Sequence, residues 1–154
     1  MSEILTRLSI QSAKIGDIGH STSSADITVS DICAALGPIK NGVQYHLIMI
    51  RFADQWPNKG ETELIIQEIQ NMVVSAWLRG RGSDRFHRGK IRPLAEAAWV
   101  ETIGNKMTQN QLAKFVGMSQ PWWARHAQKI YVEVRKEIES TYSDGLALVR
   151  QQLF

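Results

Sequence analysis

The stretch "NQLAKFVGMSQPWWARH", residues 110–126, decides the fold because it has the pattern of two helices joined by a tight turn. Leu112 and Val116 are spaced to face inward from the first helix. Ala113 is the small residue needed where a second helix crosses the first closely. Gly117 follows four residues later and can adopt the backbone conformation that ends a helix abruptly. The stretch therefore predicts the corner of a helix-turn-helix.

The flanking residues extend this motif over residues 108–140. Thr108 is expected to cap the first helix and Ser119 the second, because a hydroxyl accepts hydrogen bonds from the free N–H groups of a first turn. Pro121 is tolerated in the first turn of the second helix, where its missing N–H costs little. We expect Met118 and Trp123 to fill the angle between the helices.

The second helix has one apolar side, judged at about 100° per residue from Trp123; it comprises Ala127, Ile130, Val134 and Ile138. Arg125 and Gln128 fall on the opposite side. Early outward positions of such a helix contact base edges in the major groove of DNA. The residues predicted to bind DNA are Ser119, Gln120, Pro121, Arg125, Gln128 and Lys129.

Two aromatic residues of the motif are predicted to have other roles. Trp122 points about 100° away from Trp123, so we expect it to be partly exposed, either covering the seam with the preceding helix or contacting a protein partner. His126 stands where an apolar residue is usual. It is predicted to be a partly buried, hydrogen-bonded histidine and not a ligand.

The rest of the chain predicts an all-α fold, since no window alternates in polarity as a strand would. The expected organisation is a flexible N-terminal arm at residues 1–27, rich in Ser and Gly, and a compact multi-helix domain at residues 28–154. Helices are predicted at residues 28–37, 41–56, 61–78, 93–103, 108–116, 120–140 and 144–153.

Composition argues against several classes of protein. No apolar run approaches the ~20 residues that span a bilayer, and no secretory signal is recognised, so a cytoplasmic location is expected. The lone Cys33 excludes a disulfide framework and a multi-cysteine zinc site. We expect no metal and no cofactor. Without a carboxylate pair, a Ser/His/Asp set or a phosphate-binding glycine motif in useful context, an enzyme is not expected.

Positive charge is concentrated in the second half of the chain. Residues 1–78 carry 5 basic and 8 acidic side chains, whereas residues 79–154 carry 13 basic and 7 acidic ones. The glycine-rich stretch "RGRGSDRFHRGKIR", residues 79–92, holds the densest cluster. Arginine binds phosphate favourably, and Phe86 or His87 could stack on a base. The predicted contacts to nucleic-acid backbone or RNA are Arg79, Arg81, Arg85, Arg88, Lys90 and Arg92, the alternative being a solvated connector.

Two blocks of the sequence resemble the Q proteins, the late-gene antitermination factors of lambdoid phages. The first is "SAKIGD" followed by a Ser-rich stretch and "ITVSDICAALG", residues 12–37. The second is "MSQPWWARHAQKIYVEVRKEIE" with the tail "GLALVRQQLF", at residues 118–139 and 145–154. The best-known members carry a cysteine-rich zinc ribbon where this chain has "RGRGSDRFHRGK", so the resemblance is to a form without the ribbon.

The resemblance implies a factor that binds double-stranded DNA near a late promoter in the bacterial host cell. It would load onto paused RNA polymerase that contains a sigma factor and allow read-through of terminators. Nascent RNA, and a second copy of the protein on DNA, are further implied partners. Two alternatives stay open from the residues themselves: a helix-turn-helix regulator that acts at initiation only, and a helical protein-interaction adaptor.

Overall fold

The structure, a computed structural model, describes residues 42–81 and 86–153, with the backbone alone for residues 81, 152 and 153. These residues form helices and short connections, with no strand among them, which confirms the all-α prediction. The predicted arm at residues 1–27, the helix at residues 28–37 and Cys33 lie outside the described residues.

Six α-helices are described, with one 3-10 turn at Arg88–Lys90. Their bounds are α1 Gly42–Ala53, α2 Lys59–Ala76, α3 Ile91–Ile103, α4 Gln109–Val116, α5 Gln120–Trp122 and α6 Gln128–Leu153. A π-helical turn, Trp123–Ala127, joins α5 to α6, so that helical backbone continues from Gln120 to Leu153. Within the part of the chain that the structure describes, no helix is both long and apolar enough to cross a membrane.

Contacts divide the described chain into two compact units, and α6 contributes to both. One unit contains residues 42–58 and 141–153, and the other contains residues 59–140. Contacts do not show whether either unit folds independently, so the prediction that residues 28–154 form a single domain stays a prediction.

In the first unit, α1 lies against the second half of α6. The Gln44 side-chain amide donates to the Thr141 carbonyl at 3.0 Å, and the Arg51 guanidinium lies 4.5 Å from the centre of the Tyr142 ring. Gly145 is buried at this contact, where a Cβ atom would come within 2.6 Å of the Ile48 Cδ1 atom. A side chain at this position would force Ile48 and Gln44 to shift, so glycine favours the close approach of the two helices.

This packing overturns the prediction of two separate helices at residues 120–140 and 144–153. A glycine in a helical pattern indicates a break when it ends the pattern. Gly145 instead lies inside α6 and serves close packing. A sequence pattern cannot distinguish these two uses, since the contact that requires the glycine comes from a helix about 100 residues away.

The second unit is built on α2 and α3, whose inward-facing apolar residues are buried. The fully buried residues include Ile65, Ile69, Val73, Leu94, Ala95 and Ala98. The helical turn after α2 ends at Gly80, whose φ of 79° lies in the left-handed region that favours glycine. Pro93 lies in the first turn of α3, as predicted, although the helix begins two residues earlier at Ile91.

Candidate nucleic-acid interface

The turn between α4 and α5 consists of Gly117, Met118 and Ser119. Gly117 has φ 80° and ψ 39°, the left-handed conformation. The Met118 N–H donates to the Ala113 carbonyl at 2.9 Å, and the Gly117 N–H donates to the Lys114 carbonyl at 3.1 Å. This pair of bonds is a Schellman motif, which closes a helix and redirects the chain. The predicted corner is confirmed at the level of its backbone.

Both helices of the corner are capped at their first turns, as the sequence predicted. The Thr108 hydroxyl accepts from the Gln111 N–H at 3.1 Å. The Gln111 side chain accepts in return from the Thr108 N–H at 2.9 Å, which completes a capping box. The Ser119 hydroxyl accepts from the Trp122 N–H at 3.4 Å. The part played by Gln111 was missed, although its position three residues after Thr108 is the usual signal.

Trp123 is the residue that fills the corner, since its side chain is fully buried. Its indole N–H donates to the Gln109 side-chain oxygen at 2.6 Å, which ties the second helix to the start of the first. Met118, which was expected to share this role, is half-buried. The Schellman turn places Met118 just outside the helix, at the edge of the corner.

Residues Trp123–Ala127 form a π-helical turn, in which the Gln128 N–H donates to the Trp123 carbonyl five residues back. The apolar side predicted for the second helix is confirmed, since Ala127, Ile130, Val134 and Ile138 are all fully buried. Gln128, predicted to face outward, is half-buried. Tyr131 is also buried, with its ring 5.3 Å from that of Trp123.

Buried Tyr131 belongs to a polar network that sequence reasoning missed. The buried Glu101 carboxylate accepts hydrogen bonds from the Tyr131 hydroxyl and, at 2.8 Å, from the Met107 N–H. The Arg135 guanidinium lies 3.4 Å from the same carboxylate and donates to the Thr102 hydroxyl at 2.5 Å. Burial, followed by the bond to Glu101, raises the pKa of Tyr131 well above its ordinary value. The network holds α3, α6 and the segment before α4 together.

We define the reading face as the exposed residues at the start of the second helix: Ser119, Gln120, Pro121, Arg125 and Lys129. Each of these predicted DNA contacts is exposed, and only Gln128 of the predicted set is not. No described carboxylate lies within salt-bridge distance of Arg125 or Lys129. Both cations are therefore available to an external ligand, and Arg125 has the planar donor geometry that suits guanine or phosphate.

Trp122 and His126 form an aromatic pair beside the reading face, with ring centres 4.3 Å apart. Trp122 is 42% exposed, which confirms the expected partial exposure. His126 is partly buried, as expected, but its Nδ1 atom is buried without a hydrogen-bond partner among the described residues. The expected hydrogen bond is not found at Nδ1, and the ring of His126 packs on that of Trp122.

The basic stretch at residues 79–92 does not present its cations uniformly. Arg92 forms a bidentate pair with Glu63, with both N–O distances 2.7 Å, and also donates to Glu96 at 3.1 Å. The hydrogen bond from Arg92 holds the pKa of Glu63 below its ordinary value, and the bond to Glu63 raises the pKa of Arg92. Arg79 lies 3.9 Å from Glu137. Both arginines therefore have carboxylate partners within the protein.

The remaining cations of this stretch differ from Arg92. Arg88 is exposed and has no described carboxylate within salt-bridge distance. The Lys90 ammonium donates to the Gly117 carbonyl at 2.9 Å, which brings the basic stretch to the corner. Arg85 and the side chain of Arg81 lie outside the described residues. Phe86 is buried with its ring 5.1 Å from that of Trp77, so of the two predicted stacking residues only His87 is exposed.

A cleft of about 400 Å³ lies where the basic stretch meets the corner. We call it the corner cleft, and its lining residues are His87, Lys90, Gly117, Met118, Ser119 and Trp122. Ser119 belongs both to the corner cleft and to the reading face. The cleft therefore continues the surface that the sequence predicted to meet nucleic acid, but its existence was not predicted, since it depends on the contact between Lys90 and Gly117.

Within residues 42–81 and 86–153, no three His, Cys, Asp or Glu side chains converge as a metal site. Comparison of the chain with protein-family models, with curated proteins and with solved structures finds no match. The similarity to Q proteins consequently rests on the two sequence blocks quoted above and remains a resemblance.

Proposed function

We propose that the protein is a DNA-binding transcription factor that presents its reading face to the major groove of double-stranded DNA. The observation that carries this proposal is the exposure of Gln120, Arg125 and Lys129 on a helix fixed by the Gly117 turn. Polar side chains at the start of such a helix reach base edges when the corner approaches a duplex. Arg125 and Lys129 are exposed there, so both cations can reach base edges or phosphates of a bound duplex.

Electrostatics supports the same surface. Arg88, Arg125 and Lys129 are exposed without described carboxylate partners, whereas Arg92 is paired within the protein. Cations of this kind release counterions from DNA when they bind phosphate, which supplies sequence-independent affinity. Base contacts from Arg125 and Gln120 would then supply the specificity.

For the biological role we propose transcription antitermination, on the resemblance to ribbon-less Q proteins. The protein would bind near a late promoter in the cytoplasm of the bacterial host, load onto RNA polymerase with its sigma factor, and allow read-through of terminators. Nascent RNA and a second bound copy are part of the proposal.

A regulator that acts at initiation only is the second candidate, and it would use the same reading face. Transcription separates the two roles. Selection of random duplexes with the purified protein first yields its site, which is then placed at a promoter followed by a terminator. In a single-round reaction, antitermination predicts that added protein increases the full-length transcript without increasing initiation. A change in initiation with unaltered read-through would leave the regulator as the function.

The third candidate, an adaptor that binds protein alone, predicts a different result at the selection step. It predicts no enrichment of any duplex sequence over rounds of selection. Enrichment of one sequence would reject the adaptor, and absence of enrichment at low salt would reject both DNA-binding roles.

A further inference from the structure

We propose that the corner cleft binds one unstacked nucleotide of DNA, with the base against Trp122 and the phosphate at Lys90 and His87. The inference rests on the proposed function in one respect. The corner cleft adjoins the reading face through Ser119, so DNA bound to that face would lie beside the cleft. The inference adds a second DNA contact, made by the corner cleft, to the contact that the reading face makes with the duplex.

The apolar part of the corner cleft suits a base. Trp122 is 42% exposed and lines the cleft together with Met118. An aromatic face binds any base by stacking, and a thioether adapts to irregular apolar shapes. A volume of about 400 Å³ lies within the range of small-molecule sites and accommodates a unit of nucleotide size.

The polar part of the cleft suits a phosphate. The Lys90 ammonium uses one N–H on the Gly117 carbonyl, which leaves two donors for another acceptor. The His87 Nδ1 atom accepts from the Gly89 N–H at 3.0 Å, so the Nε2 atom of the neutral ring carries the proton and can donate. No described carboxylate pairs with Lys90, and Arg88 adds a nearby exposed cation. The cleft therefore joins an apolar wall to anion-binding donors.

DNA is favoured over an acidic peptide by the continuity of the surface. Ser119 lines the cleft and belongs to the reading face, so DNA on the reading face passes the mouth of the cleft. A peptide would have to share that mouth with the DNA. Unstacking one nucleotide costs a few kcal/mol, least where the strand is already unpaired, so the clearest ligand is single-stranded DNA.

The test uses the full chain and a fluorescein-labelled dodecamer of deoxythymidine, with affinity measured by fluorescence anisotropy at low salt. Trp122→Leu removes the stacking face, and we expect the dissociation constant to rise about 5- to 150-fold. Trp122→Phe should recover part of the loss. The matched control is Trp56→Leu, because Trp56 is 56% exposed and lies in the other compact unit. The Trp56→Leu variant should bind the oligonucleotide with the dissociation constant of the wild type. Circular dichroism checks that each variant is folded.

Three outcomes overturn the inference. The first is equal loss of affinity in Trp122→Leu and Trp56→Leu, or no loss in either. The second is tighter, Trp122-dependent binding of a uridine dodecamer, which would make RNA the ligand. The third is Trp122-dependent binding of an alternating Asp-Phe peptide with no binding of the oligonucleotide. Failure of the duplex-binding proposal is seen in a separate experiment. Either the duplex selection enriches no sequence, or Arg125→Ala binds the selected duplex as the wild type does, whatever the result with the oligonucleotide.

Discussion

At the scale of single residues, Gly117 is the position on which the corner depends. Its φ of 80° lies in the left-handed region, and its carbonyl accepts the hydrogen bond from Lys90. A Cβ atom at this position would also lie 3.1 Å from the Lys90 ammonium. The backbone requirement and the contact with the basic stretch thus meet at one residue.

We predict that Gly117→Ala lowers the free energy of unfolding by about 1–2 kcal/mol, because alanine is strained in the left-handed conformation. Gly117→Asn should lose less, since asparagine tolerates this conformation better. Gly60→Ala is the matched control: Gly60 is exposed in the first turn of α2 without a positive φ, and alanine is favoured in helices. Urea unfolding measures all three, and an equal loss for Gly117→Ala and Gly60→Ala would contradict the role of the turn.

Residues whose roles are local could be predicted from the sequence. Thr108, Gly117, Ser119 and Pro121 act on backbone groups within a few residues of themselves, so spacing alone identifies them. Trp122 is different. Its partial exposure followed from helix geometry, but its membership of the corner cleft depends on Lys90, 32 residues earlier in the chain.

At the scale of elements, α-helical spacing predicted the apolar side of the second helix of the corner, whose four residues are all buried. It did not predict the hydrogen bond between Tyr131 and Glu101, because Glu101 lies on α3, 30 residues earlier in the chain. The same limit, a partner distant in the sequence, explains the missed continuity of α6 at Gly145, which packs against Ile48.

We predict that Tyr131→Phe lowers the free energy of unfolding by about 1.5–3 kcal/mol near neutral pH, because buried Glu101 loses a donor. The pKa of Tyr131 is raised on folding, so the stability that this group contributes is fully present below its unfolded pKa, about 10. It is lost as the pH rises above that value, since the unfolded tyrosine then ionises first. The difference between wild type and Tyr131→Phe should therefore narrow above about pH 10.

Denaturant unfolding from pH 7 to 11 measures this difference, with Trp56→Phe as the control. Trp56 is exposed, lies in the other compact unit and does not ionise in this range, so the stability difference between wild type and Trp56→Phe should not narrow above pH 10. A constant gap for Tyr131→Phe across the whole range would contradict the assigned network.

At the scale of the whole molecule, the excess of basic residues after position 78 is divided between internal pairs and available cations. Arg92 belongs to the first group, through Glu63 and Glu96, and Arg88 belongs to the second. The excess of basic residues can be counted from the sequence. Which of them are paired cannot, because the carboxylate partners of Arg92 lie on α2 and α3. Charge counts alone would treat the two arginines as equal.

We predict that Arg88→Gln reduces the slope of log affinity against log salt by about 0.9 for duplex DNA, the value for one phosphate contact. Arg92→Gln is the matched control, since Arg92 already has carboxylate partners and should leave the slope unchanged. Titrations of one duplex at several salt concentrations give both slopes. A larger change for Arg92→Gln than for Arg88→Gln would contradict the division of cations.

Binding of the selected duplex by Arg125→Ala tests the reading face most directly, with Lys136→Ala as the control from the same helical run. Lys136 is exposed, lies outside the reading face and has only a 3.9 Å contact with Glu133. Contact of Arg125 with a base predicts a loss of about 1–3 kcal/mol in binding free energy and relaxed specificity at one base pair. Lys136→Ala should bind as the wild type does. Equal affinities for Arg125→Ala and the wild type, with unaltered specificity, would contradict the proposal that this helix reads DNA.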